Sequence, residues 1–138
     1  MIAEGFELRH TGVIPDEEAQ IARMLRKWAK EVDLILTTGG TGLGQRDVTP
    51  EATLSVVQRQ APGLMELTRR ETAKQSVMVV LSRAVAGIRD RCLIVNLPGS
   101  PKGVKECLAV LLPLFPHALD TLRGPVQNHP DGLGSHLH

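Results

Sequence analysis

Residues 37–50 restrict the fold more than any other part of the sequence: they read Thr-Thr-Gly-Gly-Thr-Gly-Leu-Gly-Gln-Arg-Asp-Val-Thr-Pro. An apolar run at residues 33–36 precedes them and is typical of a buried strand. Thr49 and Pro50 indicate a helix start, since threonine can cap a helix and proline fits its first turn. In α/β proteins, a glycine-rich turn between strand and helix lets phosphate approach backbone N–H groups. The segment therefore predicts a phosphate or nucleotide pocket, with Arg46 and Asp47 at its edge.

Length and composition are those of one globular domain with a sizeable core, since the chain has 138 residues, 42% of them hydrophobic and 22% charged. The net charge of +1 provides no basic surface for nucleic acid, and two Phe, one Trp and no Tyr offer few base-stacking groups. No apolar run reaches the roughly 18 residues of a membrane span, and no signal peptide is visible. We expect a cytoplasmic protein that binds neither nucleic acid nor membrane, with Cys92 and Cys107 as buried apolar residues rather than a disulfide.

Periodicity predicts an alternation of helices and strands. Helices are predicted at residues 15–32, 50–60, 64–74 and 104–112 and in a last region ending near 122. Strands are predicted at residues 33–38, 78–81 and 92–97, with residues 82–90 as a hairpin arm that turns near 89–91. Residues 1–123 form the predicted domain, and residues 124–138 read as a disordered tail.

This order of elements predicts an α/β fold with a mostly parallel sheet. Two of the apolar strands end in a glycine-containing turn that leads into a helix. Ligands of open α/β sheets bind beyond the carboxyl ends of the strands, where such turns gather. The two turns therefore predict one shared crevice.

Two motifs resemble those of the molybdopterin adenylyltransferases and the gephyrin G domain. The first consists of residues 37–42 (TTGGTG) and 46–53 (RDVTPEAT), and the second of residues 96–103 (NLPGSPKG) followed by Glu106 and Cys107. Residues 82–87 (SRAVAG) also fit between them, and the resemblance extends over residues 5–122. It implies a three-layer α/β sandwich of the molybdopterin-binding type, usually a homotrimer. The implied reaction transfers AMP from Mg-ATP to the terminal phosphate of molybdopterin, releases pyrophosphate and prepares the pterin for metal insertion, which implies an insertion partner protein.

The sequence departs from the family at its beginning. Family members open with a strand, a loop carrying Ser/Thr and Asp, and a helix, all upstream of an Ile-Pro-Asp-Glu segment that here occupies residues 14–17. We therefore expect an N-terminally truncated domain without one acidic residue of the site. The alternative function is a non-catalytic molybdopterin-binding or trimeric scaffold module that lost catalysis with this unit.

Several candidate residues also have a structural interpretation, and the sequence leaves these alternatives open. Asp47 either binds Mg²⁺ and positions the ATP phosphates, or interacts as a helix-start carboxylate with the amides ahead of Pro50. Asp16, which matches the other acid of the family, is either catalytic or another helix-start acid. Arg46 either neutralises phosphate charge or pairs with Glu51.

The remaining candidates lie in the two loops and beside them. The first loop is either a flexible turn or the phosphate and nucleotide cradle, formed by Thr38, Gly39, Gly40, Thr41 and Gly42. The second lies at a helix N-terminus suited to the pterin phosphate and supplies Pro98, Gly99 and Ser100, of which Ser100 is alternatively only a helix cap. Lys102 and Arg83 are either anion contacts or solvated charges.

Overall fold

The computed structural model describes residues 5–124, and this range alternates helices with strands. In chain order the elements are α1 (Glu18–Ala29), β1 (Leu34–Thr38), α2 (Thr49–Val56), β2 (Arg59–Gln60), α3 (Pro62–Thr72), a 3-10 helix (Val77–Leu81), β3 (Ala86–Arg89), β4 (Cys92–Leu97), α4 (Pro101–Leu111), a 3-10 turn (Leu112–Leu114) and α5 (Phe115–Arg123). The tail predicted to be disordered lies outside the described residues, apart from Gly124. No helix within residues 5–124 has the length and apolarity needed to cross a membrane.

The four strands form one mixed sheet in the order β1-β4-β3-β2. β4 pairs in parallel with β1 and antiparallel with β3, and β2 pairs antiparallel with β3. The α/β class is confirmed, whereas the expectation of a mostly parallel sheet is corrected for the described strands. The reason is the tight turn between β3 and β4, where Asp90 has a φ of 54°, because a connection this short can join only antiparallel strands.

Helices cover both faces of the sheet, which gives the three layers that the family resemblance implies. On one face α3, α4 and α5 pack against Leu93, Val95 and Leu97 of β4. On the other face α1 and α2 pack against Cys92 and Ile94. This alternation along β4 follows the two-residue period of a strand, and every residue of β4 is buried because both faces are covered.

Two stretches differ from the sequence prediction. Residues 78–81 form part of the 3-10 helix Val77–Leu81 instead of a strand, and the Ser76 hydroxyl accepts the N–H of Met78 at its start. A short apolar run does not by itself distinguish strand from helix. The helix predicted to reach residue 60 ends at Val56, because residues 58–61 hydrogen-bond to β3 and include β2.

The N-terminal part of the described chain, residues 6–15, contains neither a helix nor a strand. Phe6 packs edge-on against Phe115 of α5, with ring centroids 6.3 Å apart. His10 stacks on Trp28 of α1 at 5.2 Å. α1 begins at Glu18, three residues after the predicted start at Pro15. Trp28 packs against the core on its side of the sheet.

We expect Gly87→Ala to destabilise the domain, because the new Cβ would lie 2.7 Å from Cγ1 of Val57 and 2.9 Å from the carbonyl oxygen of Arg59. Forcing an atom into such a packed site costs about 1–3 kcal/mol of unfolding free energy, measured by urea denaturation. Gly63→Ala in α3 is the matched control, since its Cβ would meet no atom within 4 Å. Equal stability of both variants would contradict this account of the β3 contact.

Candidate functional site

Two loops meet beyond the carboxyl ends of the neighbouring strands β1 and β4. The first is residues 39–48 and the second residues 98–100. The N–H of Gly39 donates to the carbonyl oxygen of Leu97 at 3.0 Å. A Cβ on Gly99 would lie only 3.4 Å from the Cα of Gly39. The loops are therefore in backbone contact, as their positions after parallel neighbours predict.

Glycine is required at the beginning of the first loop. Gly39 and Gly40 have φ angles of 87° and 70°, which residues other than glycine rarely adopt. A Cβ on Gly40 would also lie 2.3 Å from Oγ1 of Thr49, and the Gly40 carbonyl accepts the N–H of Thr49 at 3.1 Å. Thr49 is thus the buried first residue of α2 and packs on the loop, whereas Val48 takes the capping position expected for Thr49.

Asp47 closes the first loop on itself. Its Oδ2 accepts the N–H of Gly44 at 2.8 Å, and its own N–H donates to the carbonyl of Gly44 at 3.0 Å. A Cβ on Gly42 or Gly44 would lie 2.9 Å from the same Oδ2. One oxygen of the Asp47 carboxylate therefore accepts a backbone amide ahead of α2, which is the structural alternative that the sequence left open for this residue.

The side chain of Arg83 also hydrogen-bonds to the backbone of the first loop. Its Nε donates to the carbonyl of Gly42 at 2.7 Å, and its terminal nitrogens donate to the carbonyl of Asp47 and to the carboxylate of Glu51, both at 2.5 Å. Its backbone N–H also donates to the Thr41 carbonyl at 2.8 Å. Arg83 is therefore not the solvated charge that the sequence allowed, and Glu51 pairs with Arg83 instead of with Arg46.

The Glu51–Arg83 pair shifts the titration of both groups. Hydrogen bonding from Arg83 lowers the pKa of the Glu51 carboxyl below its ordinary value of 4.5, with a smaller contribution from a backbone hydrogen bond. The hydrogen bond to Glu51 raises the pKa of Arg83, and the charge of nearby Asp47 adds to this. The pair therefore stays ionised at neutral pH.

Asn96 anchors the strands beneath the first loop. Its Nδ2 donates to Oγ1 of Thr37 at 2.9 Å and to Oγ1 of Thr53 at 3.0 Å, while its Oδ1 accepts the N–H of Val85 at 3.0 Å. The side chain is buried, so each of these partners offsets a desolvation cost. The signal for it in the sequence was a single amide within the otherwise apolar run of residues 92–97.

The second loop leads directly into α4. Ser100 is the capping residue, and its Oγ accepts the N–H of Gly103 at 3.0 Å. A Cβ on Gly103 would lie 2.9 Å from this Oγ and 3.0 Å from Cβ of Pro98. The alternative role of Ser100 as a helix cap is therefore observed, and the capped helix start borders the crevice.

A cavity of about 450 Å³ opens beside the two loops. From the predicted site it is lined by Thr41, Gly42, Pro98, Ser100 and Lys102. α3 contributes Arg69, whose guanidinium donates to the carbonyls of Ser82 at 3.2 Å and Ala84 at 2.5 Å. No local pattern in the sequence indicated Arg69, because its partners lie 13 and 15 residues away along the chain.

The structure separates other predicted residues from this cavity. Asp47, Arg46, Gly39, Gly40 and Gly99 lie in the two loops but do not line it, and Arg46 is exposed. Thr38 lines a second cavity of about 730 Å³ between residues 5–12, β1, α4 and α5. Asp16 is exposed ahead of α1 and lines neither cavity. Among residues 5–124, no three His, Cys, Asp or Glu side chains gather as a metal-binding group.

Family comparison agrees with the two motifs. The family model described as "probable molybdopterin binding domain" matches residues 1–117. The chain belongs to this family. It is 44% identical over 117 residues to a molybdopterin adenylyltransferase of Helicobacter pylori, a match that covers 83% of this chain and 66% of the relative. It is also 44% identical over 108 residues to gephyrin of Dictyostelium discoideum, covering 78% of this chain and 15% of that protein. The chain thus spans slightly less than two thirds of the Helicobacter enzyme.

A solved structure also supports the fold of this family member. The molybdopterin biosynthesis enzyme MoaB of Thermus thermophilus superposes with a TM-score of 0.74 at 53% sequence identity. The superposition covers 80% of this chain and 71% of that one. The resemblance drawn from the motifs is therefore confirmed, together with the α/β fold that it implied.

We expect the Glu51–Arg83 pair to stabilise the domain in a pH-dependent way. Because the pKa of Glu51 is lower folded than unfolded, its contribution is present above about pH 4.5 and is lost as the pH falls through the folded value. Urea denaturation of the unsubstituted protein and Glu51→Gln should show a small difference near pH 7 that shrinks near pH 3. A difference that is equal at both pH values would contradict the pairing.

Proposed function

We propose that this chain carries the site of a molybdopterin adenylyltransferase of molybdenum cofactor biosynthesis. The observation that carries the proposal is the contact of two motif loops, at Gly39 and Gly99, beside a cavity lined by both. It is supported by the family and by relatives that bear this name. The cytoplasmic location predicted from the sequence remains part of the proposal.

In the proposed reaction, a terminal phosphate oxygen of molybdopterin attacks the α-phosphorus of ATP. A new P–O bond joins AMP to the pterin phosphate, the bond from the α-phosphorus to the bridging oxygen breaks, and pyrophosphate leaves. The protein supplies position and charge, and no side-chain nucleophile is needed. A site built from backbone amides, one carboxylate and basic side chains fits that requirement.

The phosphates have two sets of ligands in this proposal. The first loop offers backbone N–H groups at residues 40–42, which phosphate can approach closely because Gly40 and Gly42 lack Cβ, whereas the N–H of Gly39 is engaged by Leu97. The second loop offers the N-terminus of α4, an 11-residue helix with Ser100 and Lys102 at its start. Lys102 and exposed Arg46 add positive charge to the two loops.

A magnesium ion fits Asp47 as one ligand within a larger, substrate-supplied set. Mg²⁺ in nucleotide sites is commonly held by one or two carboxylates together with phosphates and waters, so the absence of a three-residue cluster among residues 5–124 does not conflict with it. Oδ2 of Asp47 accepts the N–H of Gly44, which orients the carboxylate. When bound, the ion would neutralise phosphate charge. Asp16, exposed ahead of α1, is a second proposed acid.

A non-catalytic pterin-binding module is the second candidate. The observation that favours it is the placement of Asp16 ahead of α1, outside the two motif loops in the chain. Pyrophosphate release from Mg-ATP and molybdopterin distinguishes the two functions. Release supports the enzyme, whereas pterin binding without release supports the module.

Assembly as a homotrimer and contact with a molybdenum-insertion protein also belong to this proposal. Both come from the family resemblance. Sedimentation velocity on the purified protein measures the first, and a trimer would support it.

We expect Asp47→Asn to remove adenylylation while leaving the fold intact. Asparagine still presents an oxygen to the N–H of Gly44, but it lacks the charge that a divalent ion requires. Pyrophosphate release should fall by on the order of a hundredfold or more, as for other preorganised electrostatic groups, with little change in thermal midpoint. Asp33→Asn is the control, because Asp33 is exposed at the opposite end of β1 from the first loop and pairs there with Arg123 at 3.6 Å. A large loss of midpoint with full activity per folded molecule would show that Asp47 acts only on the loop.

We expect Gly42→Asp to abolish binding of molybdopterin in a calorimetric titration. The new Cβ would lie 2.9 Å from Oδ2 of Asp47, and a second carboxylate would repel both Asp47 and the phosphate. Gly63→Asp adds the same charge at an open position on α3 and should bind as the unsubstituted protein does. Unchanged affinity of Gly42→Asp would move the phosphate away from this loop.

A further inference from the structure

We propose that Arg83 is the positioning residue of the phosphate site, which fixes the first loop in its binding conformation before any ligand arrives. This inference rests on the proposed function of that loop. Arg83 lies between the 3-10 helix and β3, outside both loops. It acts on the ligand only through the loop backbone.

All three guanidinium nitrogens of Arg83 are engaged at once. Nε holds the carbonyl of Gly42, one terminal nitrogen holds the carbonyl of Asp47, and the other holds the carboxylate of Glu51 on α2. In the sequence, Gly42, Asp47 and Glu51 precede Arg83 by 41, 36 and 32 residues, respectively. One side chain thereby connects the two ends of residues 42–47 to α2, the helix that follows the loop.

The direction of these hydrogen bonds decides what the loop offers to a ligand. In a trans peptide the C=O and the next residue's N–H point in opposite directions. The carbonyls of Thr41, Gly42 and Asp47 are turned toward Arg83, so the N–H groups of the next residues, Gly42 among them, point away from it. Arg83 thus binds three carbonyls of the loop on one side, and the N–H groups that follow them point to the other side, as an anion site requires.

The charge of Arg83 is compensated inside the protein. Glu51 forms an ion pair with it, and Asp47 is close enough to raise its pKa. A guanidinium with two anionic neighbours and no unused nitrogen is poorly suited to bind phosphate directly. This is why we assign it a positioning role and leave direct anion contact to Lys102, Arg46 and the backbone.

A lysine cannot replace this arrangement. The planar guanidinium fork reaches three acceptors in fixed directions, whereas an ammonium group is a single point at the end of a flexible chain. Arg83→Lys keeps the charge next to Glu51 but loses the fixed geometry. It therefore separates positioning from charge.

The experiment compares Arg83→Lys with Arg89→Lys in the full 138-residue protein. Arg89 is the matched control, because its guanidinium also donates to a carbonyl, that of Val56 at 2.9 Å, but at the far end of α2. In the ligand-free protein, hydrogen exchange of amides 42–48 should quicken in Arg83→Lys and stay unchanged in Arg89→Lys. Calorimetry with Mg-ATP should show affinity about tenfold weaker for Arg83→Lys only, as expected for one or two lost hydrogen bonds.

Steady-state kinetics distinguishes a loss of positioning from a general loss of folded protein, because the two change KM and kcat differently. KM for ATP should rise about tenfold in Arg83→Lys while kcat at saturating ATP stays within about twofold, whereas partial unfolding lowers kcat and leaves KM unchanged. Glu51→Gln serves as the milder variant, with a change in KM of about threefold in the same direction.

Unchanged exchange, or faster exchange with unchanged Mg-ATP affinity, would overturn the positioning role while the proposed function stands. Failure of the unsubstituted protein to bind Mg-ATP would instead contradict the proposed function, and the positioning role would fall with it.

Discussion

The parallel pairing of β1 with β4 is the constraint on which the candidate site depends. Thr38 lies opposite Leu97 in this register, so both strands reach the same edge of the sheet within one residue of each other. The chain after each strand must turn at that edge, and the close approach of Gly39 to Gly99 follows. Burial of β4 on both faces fixes the register, because a slip of one residue would exchange its two apolar faces and misplace Asn96. The position of the loops is therefore set by the core.

Asn96 shows how the core transmits this order to the loop. A buried amide is costly unless its polar atoms are bonded, and Asn96 bonds β1 through Thr37, α2 through Thr53 and the chain before β3 through Val85. These are the three segments that also carry the first loop or Arg83. Asn96 fixes the segments that flank the loop, Arg83 hydrogen-bonds to the loop backbone, and Asp47 forms hydrogen bonds within the loop. A binding loop ordered before its ligand arrives loses less entropy on binding.

The sequence predicted what depends on local patterns. The glycine loop, the buried run at residues 92–97, the turn at residues 89–91 and the helix after residue 100 all follow from spacing and turn chemistry, and the structure contains them. It did not predict β2, because two exposed residues, Arg59 and Gln60, become a strand only through pairing with β3. It likewise left Arg83 undecided, because its partner Gly42 is 41 positions away. A contact between distant residues such as Arg83 and Gly42 leaves no pattern in the local sequence, whereas the glycines of the first loop do form such a pattern.

The charges around the first loop connect nucleotide and metal in the proposed function. Arg83 contributes one positive charge, and Glu51 and Asp47 contribute two negative ones, so this group of three carries one surplus negative charge. In the proposed function, a triphosphate approaching the amides of the loop would be attracted by Arg46 and Lys102 but repelled by that carboxylate, because salt screens charges weakly at short range. In the proposed function Asp47 would be one ligand of a divalent cation, whose charge would offset this repulsion. Under the proposed function we therefore expect nucleotide affinity to depend on the cation through Asp47, whereas the Glu51–Arg83 pair is internally neutral and acts on the shape of the loop.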